Sequence, residues 1–310
     1  MTSSESFLKR GEKMKVLITG ANGQLGRELT KQYLDQKNIE LILTDIGDFD
    51  TTKYNFKENN TIQKVSLDIT NETNVNEVIN ECKPDVVINC AAHTAVDKCE
   101  SDKENAYKIN SLGPKYIAVA TRAIGSEVVQ VSTDYIFDGE GSTPLIETDE
   151  VSPQTVYGST KLQGENLVKE NNSKHYIVRT AWLYGDGNNF VKTMIKLSET
   201  NKILKVVNDQ KGTPTSTVDL ARVIIKLIEN KAYGLYHCTC KDECTWYDLT
   251  KEIFRLKGID IEVIPCTTDE FPRPAKRPKY SVLRNLALEN SIGDITRSWK
   301  ESLEEYLNII

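Results

Sequence analysis

Three residues near the middle of the chain have the types and spacing to move a proton to or from a substrate oxygen. Tyr157 and Lys161 form a Tyr-x-x-x-Lys, and Thr133 lies upstream in the run VSTDYIFDG. A free phenol ionises near pH 10, too high for acid–base work at neutral pH. A lysine ammonium one helical turn away favours the phenolate and brings the phenol toward the working range. Positions i and i+4 of a helix share a face, so both side chains can point at one pocket. The Thr133 hydroxyl would hold a carbonyl oxygen beside them. The chemistry that results is ketone reduction, with Tyr157 supplying the proton. The bare motif is weak, because Tyr33/Lys37 and Tyr247/Lys251 repeat it and read as solvated helix faces. Ser152 and Pro153 distinguish the middle copy, offering an N-cap and a first-turn proline.

Reduction needs a hydride, and the start of the chain has the means to hold a dinucleotide. Gly20-Ala21-Asn22-Gly23-Gln24-Leu25-Gly26 follows a strand-like run and opens a helix. Backbone N–H groups and the positive end of a helix dipole there suit a pyrophosphate, and glycines permit its close approach. Asp45 ends the next apolar run, where a carboxylate accepts both ribose hydroxyls and repels a 2′-phosphate. That leans the cofactor toward NADH over NADPH. Asp68, before Ile69, either binds the adenine amino group or caps the helix that follows.

These groups need a scaffold. Short β-branched runs at 15–19, 40–44, 65–68, 85–90, 128–132 and 176–180 alternate with helical stretches at 25–36, 74–82, 103–124 and 153–169. Most of the runs are continuously apolar rather than alternating, as in strands covered on both faces. The expected architecture is α/β: a doubly wound parallel sheet (Rossmann fold) with a smaller C-terminal substrate-binding lobe. Residues 14–182 form the NAD(P)-binding part and 183–310 the lobe, some of which can return to the first sheet. Helices are expected at 190–198, 218–228, 246–256 and 298–307, and strands at 205–207 and 235–238. Residues 51–63 read as a loop and 138–152 as a mobile flap. The polar leader, residues 1–13, is expected to be disordered and has no apolar region of a secretory signal.

Composition excludes several classes. The chain has 310 residues, of which 39% are hydrophobic and 27% charged, and a net charge of -6. That ordinary balance opposes disorder, and the acidity opposes nucleic acid or an anionic membrane as partner. No apolar run is long enough to cross a bilayer. Seven scattered cysteines suit reduced thiols and a cytoplasmic location. Cys238, Cys240 and Cys244, beside His237, lack a second ligand pair, so no metal site is assigned. One segment counters the acidity: residues 271–279 carry four cations, no acid and three of the nine prolines. Arg277 within it is the candidate for a substrate diphosphate, against the plainer reading of a solvated loop.

Taken together, the segments ITGANGQLG, NCAAHTAVDKCE, VSTDYIFDG, VYGSTKLQGE, RTAWLYG, GNNFVKTM, NDQKGTPT and RPAKRPKYSVL resemble the extended short-chain dehydrogenase/reductase family. Within it, they resemble the dTDP-4-dehydrorhamnose reductases. They run in order from Ile18 to Leu283. The resemblance implies NADH or NADPH as cofactor and reduction of the 4-keto group of a nucleotide sugar. It makes Thr133, Tyr157 and Lys161 catalytic, with the last two also touching the cofactor. It assigns cofactor contacts to Gly20, Gly23, Gln24, Leu25, Gly26, Asp68, Ile69, Ala92, His93 and Thr94. It assigns substrate contacts to Thr133, Asp134 and Trp182. His93 reads more simply as a packed loop imidazole, and Trp182 is either core or a stacking platform. Mg²⁺ and a homodimer are compatible with it. Asp134 is followed by Tyr135 rather than the glutamate of nucleotide-sugar dehydratases. The alternatives are a related reductase or epimerase, or a non-catalytic NAD(P)-binding regulatory subunit.

Overall fold

The central strands of the first half are largely apolar because helices cover both of their faces. In β1 (Met14–Thr19), Val16 and Ile18 enter one core while Leu17 enters the other. The structure, a computed structural model, describes residues 13–49, 54 and 61–310. The expected disordered leader, Lys13 apart, and most of the expected loop 51–63 lie outside these residues.

β1, β2 (Ile39–Asp45), β3 (Thr61–Ser66), β4 (Val86–Asn89), β5 (Glu127–Thr133), β6 (His175–Thr180) and β7 (Gly234–His237) form one parallel sheet. Its order is β7-β6-β5-β4-β1-β2-β3. The direction of winding reverses between β1 and β4, where Val16 pairs with both Leu41 and Val86. Ligands of such sheets bind beyond the carboxyl ends of the strands at that reversal. One face carries α1 (Gln24–Leu34) and the other α2 (Glu72–Cys82), α3 (Gly113–Ala123) and α4 (Val156–Asn171). Beyond α5 (Phe190–Ser198), α6 (Thr217–Glu229) packs beside α1, so the sequence after residue 182 contributes to this core.

A separate core joins α5, α7 (Trp246–Lys257), α8 (Trp299–Leu307) and the parallel pair Ile203–Val207 and Glu262–Cys266. Val191, Leu204, Ile253 and Leu303 meet there.

Several expectations change. The third strand starts at Thr61 rather than Val65, claiming the end of the expected loop. It is the sheet's edge strand and largely exposed, so its polar residues conceal it. The single helix expected over 103–124 is three pieces, with a π-helical turn at Lys108–Leu112 that turns Asn110 and Ser111 inward. The expected flap 138–152 is stitched down: Gly139 O accepts from Lys279 N and Tyr280 N, and Leu145 N donates to Val282 O. Tyr33, expected on a solvated face, is 1% exposed within the core of α1 and α6.

Candidate active site

The phosphate turn closes by backbone contact. Gly20 has φ +60, and a Cβ on Gly26 would lie 2.4 Å from the Gly20 carbonyl oxygen. A side chain at either position would open the turn. Gly23, Gln24, Leu25 and Gly26 line a cavity of about 920 Å³ at the carboxyl edge of the sheet. The first N–H groups of α1 lack helical partners, so the residues present fit a dinucleotide diphosphate. Arg27, which sequence reasoning passed over, lines the same cavity. Its position directly after Gly26 was the available signal.

Other expected cofactor residues play visible local parts. Asp45 accepts hydrogen bonds from Asn22 N (2.9 Å) and Ile46 N (2.8 Å), bracing the glycine turn. Asp68 accepts from the Thr70 amide and hydroxyl, while Asn71 caps α2. Ile69 is buried, with Gly113 against it. Ala92 and Thr94 line the cavity; Gly20, Asp45, Asp68, Ile69 and His93 do not. His93 sits at the Asn110 bracket: its N–H donates to Asn110 Oδ1 (2.8 Å), and its carbonyl accepts from Asn110 Nδ2 (3.1 Å). Its ring nitrogen Nδ1 is 3.4 Å from Cys99 Sγ, in keeping with a packed imidazole. The π-helical turn that presents Asn110 has no clear sequence signal.

α4 presents the Tyr–Lys pair, but it begins later than expected. Its N-cap is Thr155, whose hydroxyl accepts from Gly158 N, and the Glu100 carboxylate accepts from Val156 N. Ser152 and Pro153 therefore lie before the helix. The start is pinned because Gly158 abuts Tyr135, whose carbonyl oxygen would lie 2.1 Å from a Cβ there. Thr133 ends β5, and Thr133, Tyr157 and Lys161 all face the cavity. Tyr135 stacks edge-on against Tyr157, with ring centroids 5.5 Å apart.

Electrostatics differ from the simple expectation. Burial raises the Tyr157 phenol well above its ordinary value, the Thr133 hydroxyl opposes this, and Asp134 and Cys99 add to the rise. The Lys161 ammonium donates to the Val131 carbonyl (2.6 Å), and burial outweighs every lowering influence on the phenol. Burial pulls Lys161 itself down to about 8, with Glu165 and Cys90 acting against it. Asp134 is 3% exposed and accepts from Thr133 Oγ1 (2.9 Å), while its Oδ2 has no hydrogen-bond partner among the described residues. Burial pushes its carboxyl up to about 6, with the Ser281 and Thr133 hydroxyls pulling the other way.

The far wall comes from the second half of the chain. Trp182, at φ +48, lines the cavity with its ring stacked on Trp246 (3.5 Å between centroids, 8° between planes). Gly212 leaves room for that indole, since a Cβ there would lie 2.5 Å from it. One face of Trp182 is thus already covered by protein. Trp246 and Phe190 also line the cavity and were not singled out by the sequence. Arg277 reaches the cavity, but its guanidinium pairs with Asp97 at 2.7 Å. Arg273 reaches it too and has no ion pair among the described residues.

His237 is fully buried, and burial beside Arg179 lowers it to about 3, so it is a neutral core residue. Cys238, Cys240 and Cys244 are free and buried. Among the described residues, no group of three His, Cys, Asp or Glu side chains is arranged to hold a metal ion. No helix of the described residues is long and apolar enough to cross a membrane.

Residues 14–310 match the family model described as the RmlD substrate binding domain. The chain is 63% identical to a dTDP-4-dehydrorhamnose reductase of Clostridium acetobutylicum. That match covers 96% of this chain and 99% of the other, with a TM-score of 0.88. It is 38% identical to the dTDP-4-dehydrorhamnose reductase of Bacillus anthracis solved in complex with NADP, over 96% of this chain and 100% of the other, with a TM-score of 0.85. It is also 40% identical to the spore coat polysaccharide biosynthesis protein SpsK of Bacillus subtilis, over 94% of this chain and 96% of that protein.

Proposed function

Since the chain belongs to the RmlD family of dTDP-4-dehydrorhamnose reductases, we propose that it is an NAD(P)H-dependent oxidoreductase of nucleotide sugars. In this reading it reduces the 4-keto group of dTDP-4-dehydro-6-deoxy-L-mannose to give dTDP-L-rhamnose. The observation that carries the reading is the convergence of Thr133, Tyr157 and Lys161 on the cavity that the glycine turn also lines.

The bound nicotinamide supplies the hydride. Tyr157 gives its proton to the carbonyl oxygen as that oxygen gains charge, and the Thr133 hydroxyl holds the same oxygen. A phenol raised by burial suits this direction, because the proton stays on Tyr157 until an alkoxide-like oxygen demands it. Lys161, anchored on the Val131 carbonyl, keeps a positive charge at the base of the site. Gly23, Gln24, Leu25, Gly26, Ala92 and Thr94 hold the cofactor, with Gly20 shaping the turn. Asp45 and Asp68 take the adenosine half, and Ile69 and His93 support the loops around it. The second lobe takes the nucleotide sugar, with Asp134 and Trp182 against the sugar and Arg273 and Arg277 near the diphosphate.

Asp45 favours NADH by repelling a 2′-phosphate. A specificity constant strongly higher for NADPH would overturn that preference. No step uses Mg²⁺. A homodimer remains part of the proposal, and light scattering with and without Mg²⁺ tests it. The reading as a whole is tested with purified protein, NADH and dTDP-4-dehydro-6-deoxy-L-mannose. Loss of NADH absorbance with formation of dTDP-L-rhamnose is the expected result. Tight NADH binding without turnover would instead favour the non-catalytic subunit.

A further inference from the structure

The face of α4 that carries Tyr157 and Lys161 continues, one turn further, to a third group with no part in the chemistry so far. Glu165 is 0% exposed, and its carboxylate takes three donors. Ser132 Oγ donates to Oε1 (2.5 Å), Arg179 Nε donates to Oε1 (3.0 Å), and Arg179 Nη2 donates to Oε2 (2.9 Å). A buried ion pair contributes little net stability on average. The Ser132 bond, however, reaches into the active site. Ser132 lies between Val131, whose carbonyl accepts from Lys161, and Thr133.

We propose that Glu165 is a positioning residue for the reduction: it fixes the end of β5 through Ser132 and is the negative partner that faces Lys161 along α4. The proposal rests on the reading of Tyr157 and Lys161 given above.

Two observations support it. Lys161 is 4% exposed, and its one hydrogen bond among the described residues is to a neutral carbonyl. Of the groups that hold its charge against burial, Glu165 acts most strongly and the Cys90 thiol less. On its other sides Glu165 meets cations: Arg179 from β6, and Lys169 from α4 at 3.8 Å. Behind Arg179, at 3.5 Å, the His237 ring from β7 is neutral. Glu165 thus serves three positively charged neighbours at once, Arg179 and Lys169 as ion pairs and Lys161 through space.

The sign of the effect follows. A nearby negative charge raises an ammonium pKa, so removing it lowers the pH at which Lys161 loses its proton. In Glu165→Gln, the alkaline limb of kcat/KM for the nucleotide sugar should move down by about one pH unit. The NADH dissociation constant should stay within about twofold. Glu165→Asp should return the limb toward that of the parent. A limb unmoved in folded Glu165→Gln would overturn the proposal, however far the melting temperature fell, because a purely structural role predicts that result. If Glu165→Gln does not fold, Ser132→Ala leaves every charge in place and reads the positioning half. Its kcat should fall about threefold or more with the limb unmoved, and an unchanged kcat would overturn the proposal. A parent without turnover would instead remove the reduction chemistry itself, so the two failures are distinguishable.

Discussion

The two walls of the cavity are made in different ways. The wall at the β1–β4 reversal uses one continuous turn, Gly20 to Gly26, plus strand ends that follow in order. The opposite wall gathers Trp182, Phe190, Trp246 and Arg273 from separate loops and helices. The first is fixed by local backbone sterics, so its sequence must spell it out. The second is fixed by packing between distant segments, so each residue looks ordinary in its own context. Cofactor binding should therefore break through single backbone changes, and substrate binding should erode through side-chain changes.

The largest expected effect on that contrast comes from Lys161→Met, at the seam between the walls. Turnover should drop about 10²-fold or more, with NADH and nucleotide-sugar binding both still measurable by titration. Next is Gly26→Ala, whose Cβ would meet the Gly20 carbonyl. It should weaken NADH binding about tenfold or more and leave nucleotide-sugar binding intact in a titration. Arg273→Ala should raise KM for the nucleotide sugar about tenfold and leave KM for NADH unchanged. Arg277→Ala should act in the same direction but less, because Asp97 already engages that guanidinium. Equal effects of either variant on both KM values would erase the distinction between the walls.

The smallest effect concerns stability. The folded protein holds the Asp134 proton up to about 6, against an ordinary 3.8. The group is therefore favourable to folding below pH 3.8, and that contribution is lost as pH rises through 6. Asp134→Asn should raise the melting temperature near pH 7.5 by roughly 4 °C, corresponding to about 2 kcal/mol. The gain should shrink near pH 4.5, and scanning calorimetry at both values checks it.

The sheet was legible because strands buried on both faces are written as unbroken apolar runs. Its polar edge strand was placed late for the same reason. Tyr157 and Lys161 could be read because they are four apart on one helix. The true cap, Thr155, could not, since the helix start depends on Gly158 docking against Tyr135. Asn110 depends on a π-helical turn, and the Trp182–Trp246 stack joins residues 64 positions apart (246 less 182). Neither relation leaves a local trace. The acid-base balance of the site was also out of reach, because it depends on how deeply the fold buries Tyr157 and Lys161.

The most direct measurement is single-turnover reduction of dTDP-4-dehydro-6-deoxy-L-mannose by parent and Tyr157→Phe protein, each preloaded with NADH. The account predicts NADH oxidation in the parent. It predicts a rate lower by about 10²-fold or more in the variant, with NADH affinity within about twofold. A variant that oxidises NADH at the parent's rate would contradict it.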